Sequence, residues 1–293
     1  MYRTILFAVD DDEALPPAIP MVAAHALQHR ARVAVLHVQR DGADGPNPIR
    51  RRLVTAVVEQ LWSSGVDACG ELRIVRPGDD VAEVVARAAR TSDADLVAVA
   101  AHGSAGLGAA FLASIAQRVA AGLEVPVLVL RASADGFGGA ARVLVAVDGS
   151  ATSGLALAEA AEVALAFGSR VHAVHVRQPE PRDAGAVVDQ AVAFLRRREV
   201  EATGECAGAD FGVAAGIVAA AQGFGADLVV LGCRRPPELG GLLLGSVAHQ
   251  VVQLARRPVL LARSTPAIAA RDRGRGQPHA RATAPALVLQ PRF

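Results

Sequence analysis

The sequence predicts an α/β protein made of two tandem doubly wound domains, each a five-stranded parallel sheet flanked by helices. Three observations predict it. Short Val/Leu/Ile/Ala runs alternate with longer helical stretches along most of the chain, the pattern of right-handed crossovers between parallel strands. Those runs show little polar alternation, as expected of strands covered by helices on both faces. The chain also repeats itself: ILFAVD (5–10) returns as VLVAVD (143–148), and VAVLHV (33–38) as VHAVHV (171–176), both offset by 138 positions.

Two later pairs are offset by 132: DADLV (93–97) with GADLV (225–229), and EVPVLVLR (124–131) with RRPVLLAR (256–263). One net deletion of six residues in the second copy, between its second and fourth strands, accounts for both offsets. A repeat this long is a whole domain and not a solenoid unit. The domains are placed at 1–132 and 141–264, with a Gly-rich linker at 133–140.

In the first half, strands fit at 3–9, 32–38, 71–76, 95–101 and 126–131, and helices at about 14–29, 48–64, 80–91 and 112–122. In the second, strands fit at 142–147, 170–176, 200–206, 227–232 and 258–263, with helices between them. The final strands, Pro126–Leu130 and Pro258–Leu261, are apolar edges that would invite aggregation if left open. Pairing them joins the halves as an intramolecular pseudo-dimer, and further homo-oligomers stay open. The segment 265–293 is expected to be a disordered tail, since Ser264–Phe293 is rich in Ala, Pro and Gly and holds five Arg against one Asp.

Composition narrows the function. At 293 residues and 52% hydrophobic, the chain can bury two cores. Its 30 basic and 29 acidic residues leave a net charge of +1, which argues against a nucleic-acid binder driven by bulk charge. Every basic residue is Arg. The absence of Lys excludes a Walker A phosphate loop and Schiff-base catalysis. Cys69, Cys206 and Cys233 are scattered and form no CxxC pair, so neither a disulfide framework nor a zinc site is expected. Free thiols fit a cytoplasmic setting. Asp10, Asp11, Asp12 and Glu13 interrupt the first apolar run too early for an export signal. The uncharged stretch Leu96–Gln117 is read as strand, glycine-rich turn and helix start, not as a membrane span, because Gly103, Gly106 and Gly108 break it.

In doubly wound sheets the ligand crevice lies beyond the strand C-termini, where the strand order reverses. Polar and glycine residues cluster there. Strand one of the second half ends in Asp148-Gly149-Ser150, and strand four runs into Gly232-Cys233-Arg234-Arg235. Nine residues separate Arg235 from Gly245-Ser246-Val247, where a helix begins. The first half has Asp10, then Ala100-Ala101-His102-Gly103, then nine residues before Ala113-Ser114-Ile115. This spacing suits phosphate binding. A helix N-terminus offers unpaired N–H groups and partial positive charge, and a preceding Gly permits close approach. A Ser at the helix start can hold phosphate, cap the helix, or do both.

Both halves resemble the universal stress protein family, whose members are single or tandem Rossmann-like domains. The VAVDGSATS start, the HV end of strand two, ADLVVLG, LLLGSVAHQVV and RPVLL carry the resemblance, which spans about 1–132 and 141–264. The family's ATP-binding subgroup carries Gly, two residues, Gly, nine residues, then Gly-Ser or Gly-Thr. Here Gly232, Gly245 and Ser246 match, but Arg235 stands at the middle glycine; in the first half Gly103 and Ser114 match, but Ala100 and Ala113 replace the other glycines. The resemblance implies that Asp148 and Val176 contact base and ribose and that Gly245, Ser246 and Val247 hold phosphates. In the first half it assigns Asp10 and Val38 to the base and ribose, and Ser114 and Ile115 to phosphates. Arg235 costs about 1 kcal/mol or more if its turn needs positive φ, yet its guanidinium can reach a phosphate.

The implied function is an ATP-binding or adenine-nucleotide-binding regulatory protein of the stress response, with or without Mg, with no membrane or specific nucleic-acid partner. Two other readings stay open: a nucleotide-free interaction module with eroded pockets, and a slow ATPase. No GxSxG, HExxH, HxGH or SGGxDS string is present, so no catalytic residue is assigned. His37 and His175 recur just before the end of strand two among apolar neighbours, which favours a hydrogen-bonded core histidine over a metal ligand. Cys233 is read as a space-filling residue, against the sharper alternative of a thiol activated by Arg234 and Arg235.

Overall fold

The computed structural model describes residues 2–10, 15–40, 47–76, 78–100, 115–116, 118–120, 122–130, 139–177, 183–233, 246–263 and 287–289. The first half contains β1 (Thr4–Val9), α1 (Leu15–His29), β2 (Arg32–Arg40), α2 (Pro48–Ser63), β3 (Ala68–Val75), α3 (Val81–Thr91), β4 (Leu96–Ala100) and β5 (Val127–Leu130). The second contains β6 (Arg142–Ala146), α4 (Ala151–Phe167), β7 (Arg170–Val176), α5 (Ala184–Arg196), β8 (Ala202–Ala207), α6 (Val213–Phe224), β9 (Leu228–Gly232), α7 (Ser246–Leu254) and β10 (Val259–Ala262). A last strand, β11, covers Leu287–Leu289.

The strands form one sheet in the order β11-β3-β2-β1-β4-β5-β10-β9-β6-β7-β8. Within each half the five strands are parallel, and the order reverses beside β1 and beside β6. The two expected sheets are therefore fused. The seam is β5 against β10, antiparallel, with Val129 opposite Val259 and Leu128 opposite Leu260. The sequence-based pairing of the final strands is what the structure shows. The pairing satisfies two rows of backbone groups that separate domains would leave open.

Local chemistry fixes the ends of the elements. Asn47, Asp80, Ser150 and Asp183 cap α2, α3, α4 and α5 through side-chain oxygens. α4 stops at Gly168, whose φ of 66° is a left-handed cap that costs glycine little. The repeated ADLV motif has a structural use as well. Asp95 Oδ2 accepts the backbone N–H of Arg3 at 2.7 Å, and Asp227 Oδ2 accepts that of Arg142 at 2.9 Å. Each carboxylate thereby holds the start of its half's first strand.

The core forms two layers, one on each sheet face, and each layer runs through both halves. One departure from expectation lies at the far edge. Leu287–Leu289, placed in the disordered tail from composition, pairs antiparallel with β3, Leu287 opposite Leu72. Three apolar residues suffice for an edge strand where an unpaired strand waits, a tertiary demand that composition does not reveal. Among the described residues no helix is long and apolar enough to cross a membrane.

Candidate functional site

β6 and β9 diverge at their C-terminal ends, where the order of the second half reverses, and a cavity of about 300 Å³ opens there. Asp148, Val176, Gly232, Ser246 and Val247 all line it. Five of the residues named from the sequence thus meet in one place. Arg235 and Gly245 lie outside the described residues.

Each wall has a cause in the chain. The loop from β6 into α4 supplies polar groups. Ser150 N–H donates to Asp148 Oδ1 at 2.9 Å, which makes an Asx turn. Ser150 Oγ then accepts Ser153 N–H at 3.3 Å as the cap of α4 and lies 3.0 Å from Thr152 Oγ1. Asp148 and Ser150 therefore form a turn and a helix cap, and both still face the cavity. α7 brings a second helix N-terminus through Ser246, Val247 and Ala248. Two helix starts converging on one cavity favour an anionic ligand without any Lys. Val174, Val176, Ile217 and Leu231 make the opposite wall apolar.

Gly232 ends β9 against the first turn of α4. A Cβ there would fall 2.6 Å from the Thr152 carbonyl carbon and 3.0 Å from Ser153 N. The glycine is thus required by strand–helix packing at the cavity floor, in addition to any close approach of a ligand.

His175 is a lining residue that the motif reading did not assign. Its Nδ1 lies 2.8 Å from Val147 O and, with that nitrogen protonated, ties the ends of β7 and β6 together. His37 repeats the bond to Val9 O at 3.0 Å, and Arg50 Nη1 lies 3.1 Å from its Nε2. The repeated histidine is a hydrogen-bonded one, as its apolar setting predicts. Among the described residues no group of three or more His, Cys, Asp or Glu is arranged to hold a metal ion. Ser150 was placed at the crevice without a role, and Thr152 and Ser153 went unassigned as cavity residues. Their signal, a run of hydroxyls straight after the Asp of strand one, was in the sequence.

Cys233 is buried beside the cavity floor, and burial pushes its thiol above the ordinary value. Arg263 Nη1, 3.3 Å from Sγ, opposes that shift without reversing it. The space-filling reading holds over an activated thiolate.

In the first half, Asp10 follows β1 and Val38 lies in β2, at the matching crevice edge. Ile115 is buried in the core layer with Ala116 and Val119. Gly103 and Ser114 lie outside the described residues, as do His102 and Arg234.

A curated universal stress protein of Thermus aquaticus is 35% identical over 141 residues, covering 45% of this chain and all of that protein. The crystal structure of a universal stress protein from Archaeoglobus fulgidus superposes with a TM-score of 0.70 at 18% identity, covering 89% of this chain and 96% of that one. A putative universal stress protein from Pseudomonas aeruginosa gives 0.66 at 16% identity, covering 89% and 93%. These two likenesses establish the fold. The model of the universal stress protein family matches residues 1–131 and again 140–263, so the chain belongs to that family as a tandem, two-domain member.

Proposed function

We propose that the second half binds ATP or a related adenine nucleotide, with or without Mg, and that the chain is a nucleotide-gated regulatory protein of a cytoplasmic stress response. The observation that carries this reading is the cavity at the β6/β9 switch point. It joins an apolar wall suited to a base with two helix N-termini and the hydroxyls of Ser150, Thr152 and Ser246, suited to phosphates. The role is binding more than turnover. Asp148 is the only carboxylate among the described lining residues, and its Oδ1 already accepts the Ser150 N–H.

The test is calorimetry on the full chain with ATP, adenosine and inorganic triphosphate. ATP should bind at one site per chain more tightly than either fragment. Val176→Trp, which fills the base wall, should abolish the heat. No heat and no thermal shift with ATP at millimolar concentration disposes of the reading and leaves the nucleotide-free interaction module.

A further inference from the structure

The two halves touch a second time away from β5 and β10. On one sheet face α1 of the first half meets α4 of the second, and the contact is built from ionisable rings. His25 packs edge-on to Phe167, ring centroids 4.8 Å apart, and stacks with His29 at 6.2 Å. His29 in turn meets Tyr2 edge-on at 4.6 Å. Tyr2 closes the contact by donating its hydroxyl to Glu159 Oε2 on α4 at 2.9 Å.

This seam is unusual in what it leaves unpaired. His25 is 1% exposed, and neither of its ring nitrogens has a hydrogen-bond partner; His29 Nε2 is likewise buried and unpartnered. A buried polar atom without a partner is costly, and an apolar side chain would fit the same place without that cost.

The charged and titratable groups around His25 are few. His29 faces it from the same helix. From the chain start come Tyr2 and the amino-terminal charge, which acts on His29. From α4 come Glu159, already engaged by Tyr2, and the exposed Glu162, which acts on His29 and Tyr2. Asp95 acts on Tyr2 from the turn before β4. A proton on His25 would therefore sit against Phe167 and a second imidazole, with no carboxylate among the described residues to receive it.

We propose that the α1–α4 seam is a proton-operated latch between the two halves: neutral His25 holds it shut, and protonation of His25 parts the helices while β5 and β10 stay paired. The latch stands apart from the nucleotide reading. Burial, then the neighbouring His29, lowers the His25 pKa from 6.5 to about 3 in the closed form. With an ordinary value in the open form, the opening equilibrium grows as pH falls below 6.5. From His25 alone the gain between pH 7.5 and 5.0 is about thirty-fold; the lowered His29 value adds to it and the raised Glu159 carboxyl opposes it.

The experiment is amide hydrogen exchange of the full chain at pH 7.5 and 5.0, corrected for the intrinsic pH dependence of exchange. Protection in the C-terminal halves of α1 and α4 should fall by about thirty-fold at pH 5.0, while α3, α6, β5 and β10 keep theirs. His25→Phe should remove most of the fall, and His25→Leu serves if the larger ring does not fit. Unchanged protection in α1 and α4 overturns the proposal. So does an equal loss in every element, which is global acid destabilisation, and so does a fall of undiminished size in a folded His25 variant.

Discussion

Gly232 and Thr152 approach so closely that a side chain at residue 232 would penetrate the backbone of α4: a Cβ would lie 2.6 Å from the Thr152 carbonyl carbon. The contact seats the C-terminal end of β9 under the first turn of the helix that lines the cavity. Gly232→Ala should therefore cost about 1–3 kcal/mol by overpacking. Because Thr152 and Ser153 would have to move, it should also weaken nucleotide binding. Urea denaturation and calorimetry on one preparation check both effects. Unchanged stability would show that α4 yields without strain.

The two ADLV carboxylates predict a paired result. Asp95 Oδ2 accepts the N–H groups of Arg3 at 2.7 Å and Thr4 at 3.2 Å, whereas Asp227 Oδ2 accepts that of Arg142 at 2.9 Å. Asp95→Ala and Asp227→Ala should each destabilise by about 0.5–1.5 kcal/mol, because solvent-exposed backbone donors exchange a carboxylate acceptor for water. Neither should alter ligand affinity, since both carboxylates sit at the N-terminal ends of β1 and β6, opposite the crevices. Denaturant midpoints and calorimetry separate the two effects.

That contrast shows what a single sequence makes legible. Strand-end residues such as Asp148, Gly232 and Ser246 could be placed because topology alone carries them to one edge of a doubly wound sheet. The joining of β5 to β10 could be read from two apolar edges that needed covering. The hydroxyls of Thr152 and Ser153 stand close after Asp148 in the sequence, but that they face the cavity depends on how α4 is rotated over the sheet. The His25–Phe167 contact was beyond reach for a related reason. Each residue fits the apolar stripe of its own helix, and nothing local says that the two stripes meet across the halves. β11 was hidden by composition, since LVL inside an Ala/Pro/Arg-rich segment carries too little periodicity to register.

His175 and His37 offer a direct comparison of the two crevices. Both bond through Nδ1 to the carbonyl that ends the neighbouring strand, Val147 O at 2.8 Å and Val9 O at 3.0 Å. Leu at either position leaves a buried carbonyl unpaired and should cost about 1–3 kcal/mol. Asn can reproduce the Nδ1 donor and should recover much of that loss. Only the His175 variants should also disturb the cavity of the second half, since His175 lines it. Thermal melts with and without ATP are the measurement. Equal ATP-induced shifts in wild type and His175→Leu would remove the histidine from the site.

Tyr2 and Glu159 predict a pH-dependent stability difference. Burial raises the Glu159 carboxyl above 4.5, and the Tyr2 hydroxyl holds it back by bonding the ionised form. A carboxyl whose folded value is raised favours the folded state below 4.5 and loses that advantage as pH climbs through the folded value. Tyr2→Phe removes the restraining hydrogen bond, so the folded value rises further and the loss at neutral pH deepens. The variant should match wild type closely at pH 4 and fall short by about 1.5–3 kcal/mol at pH 7, the range for a hydrogen bond to a charged group. Urea denaturation of both proteins at the two pH values cancels the His25 contribution, which they share. A deficit of equal size at both pH values would mean that Tyr2 acts by packing alone, through its edge-on contact with His29.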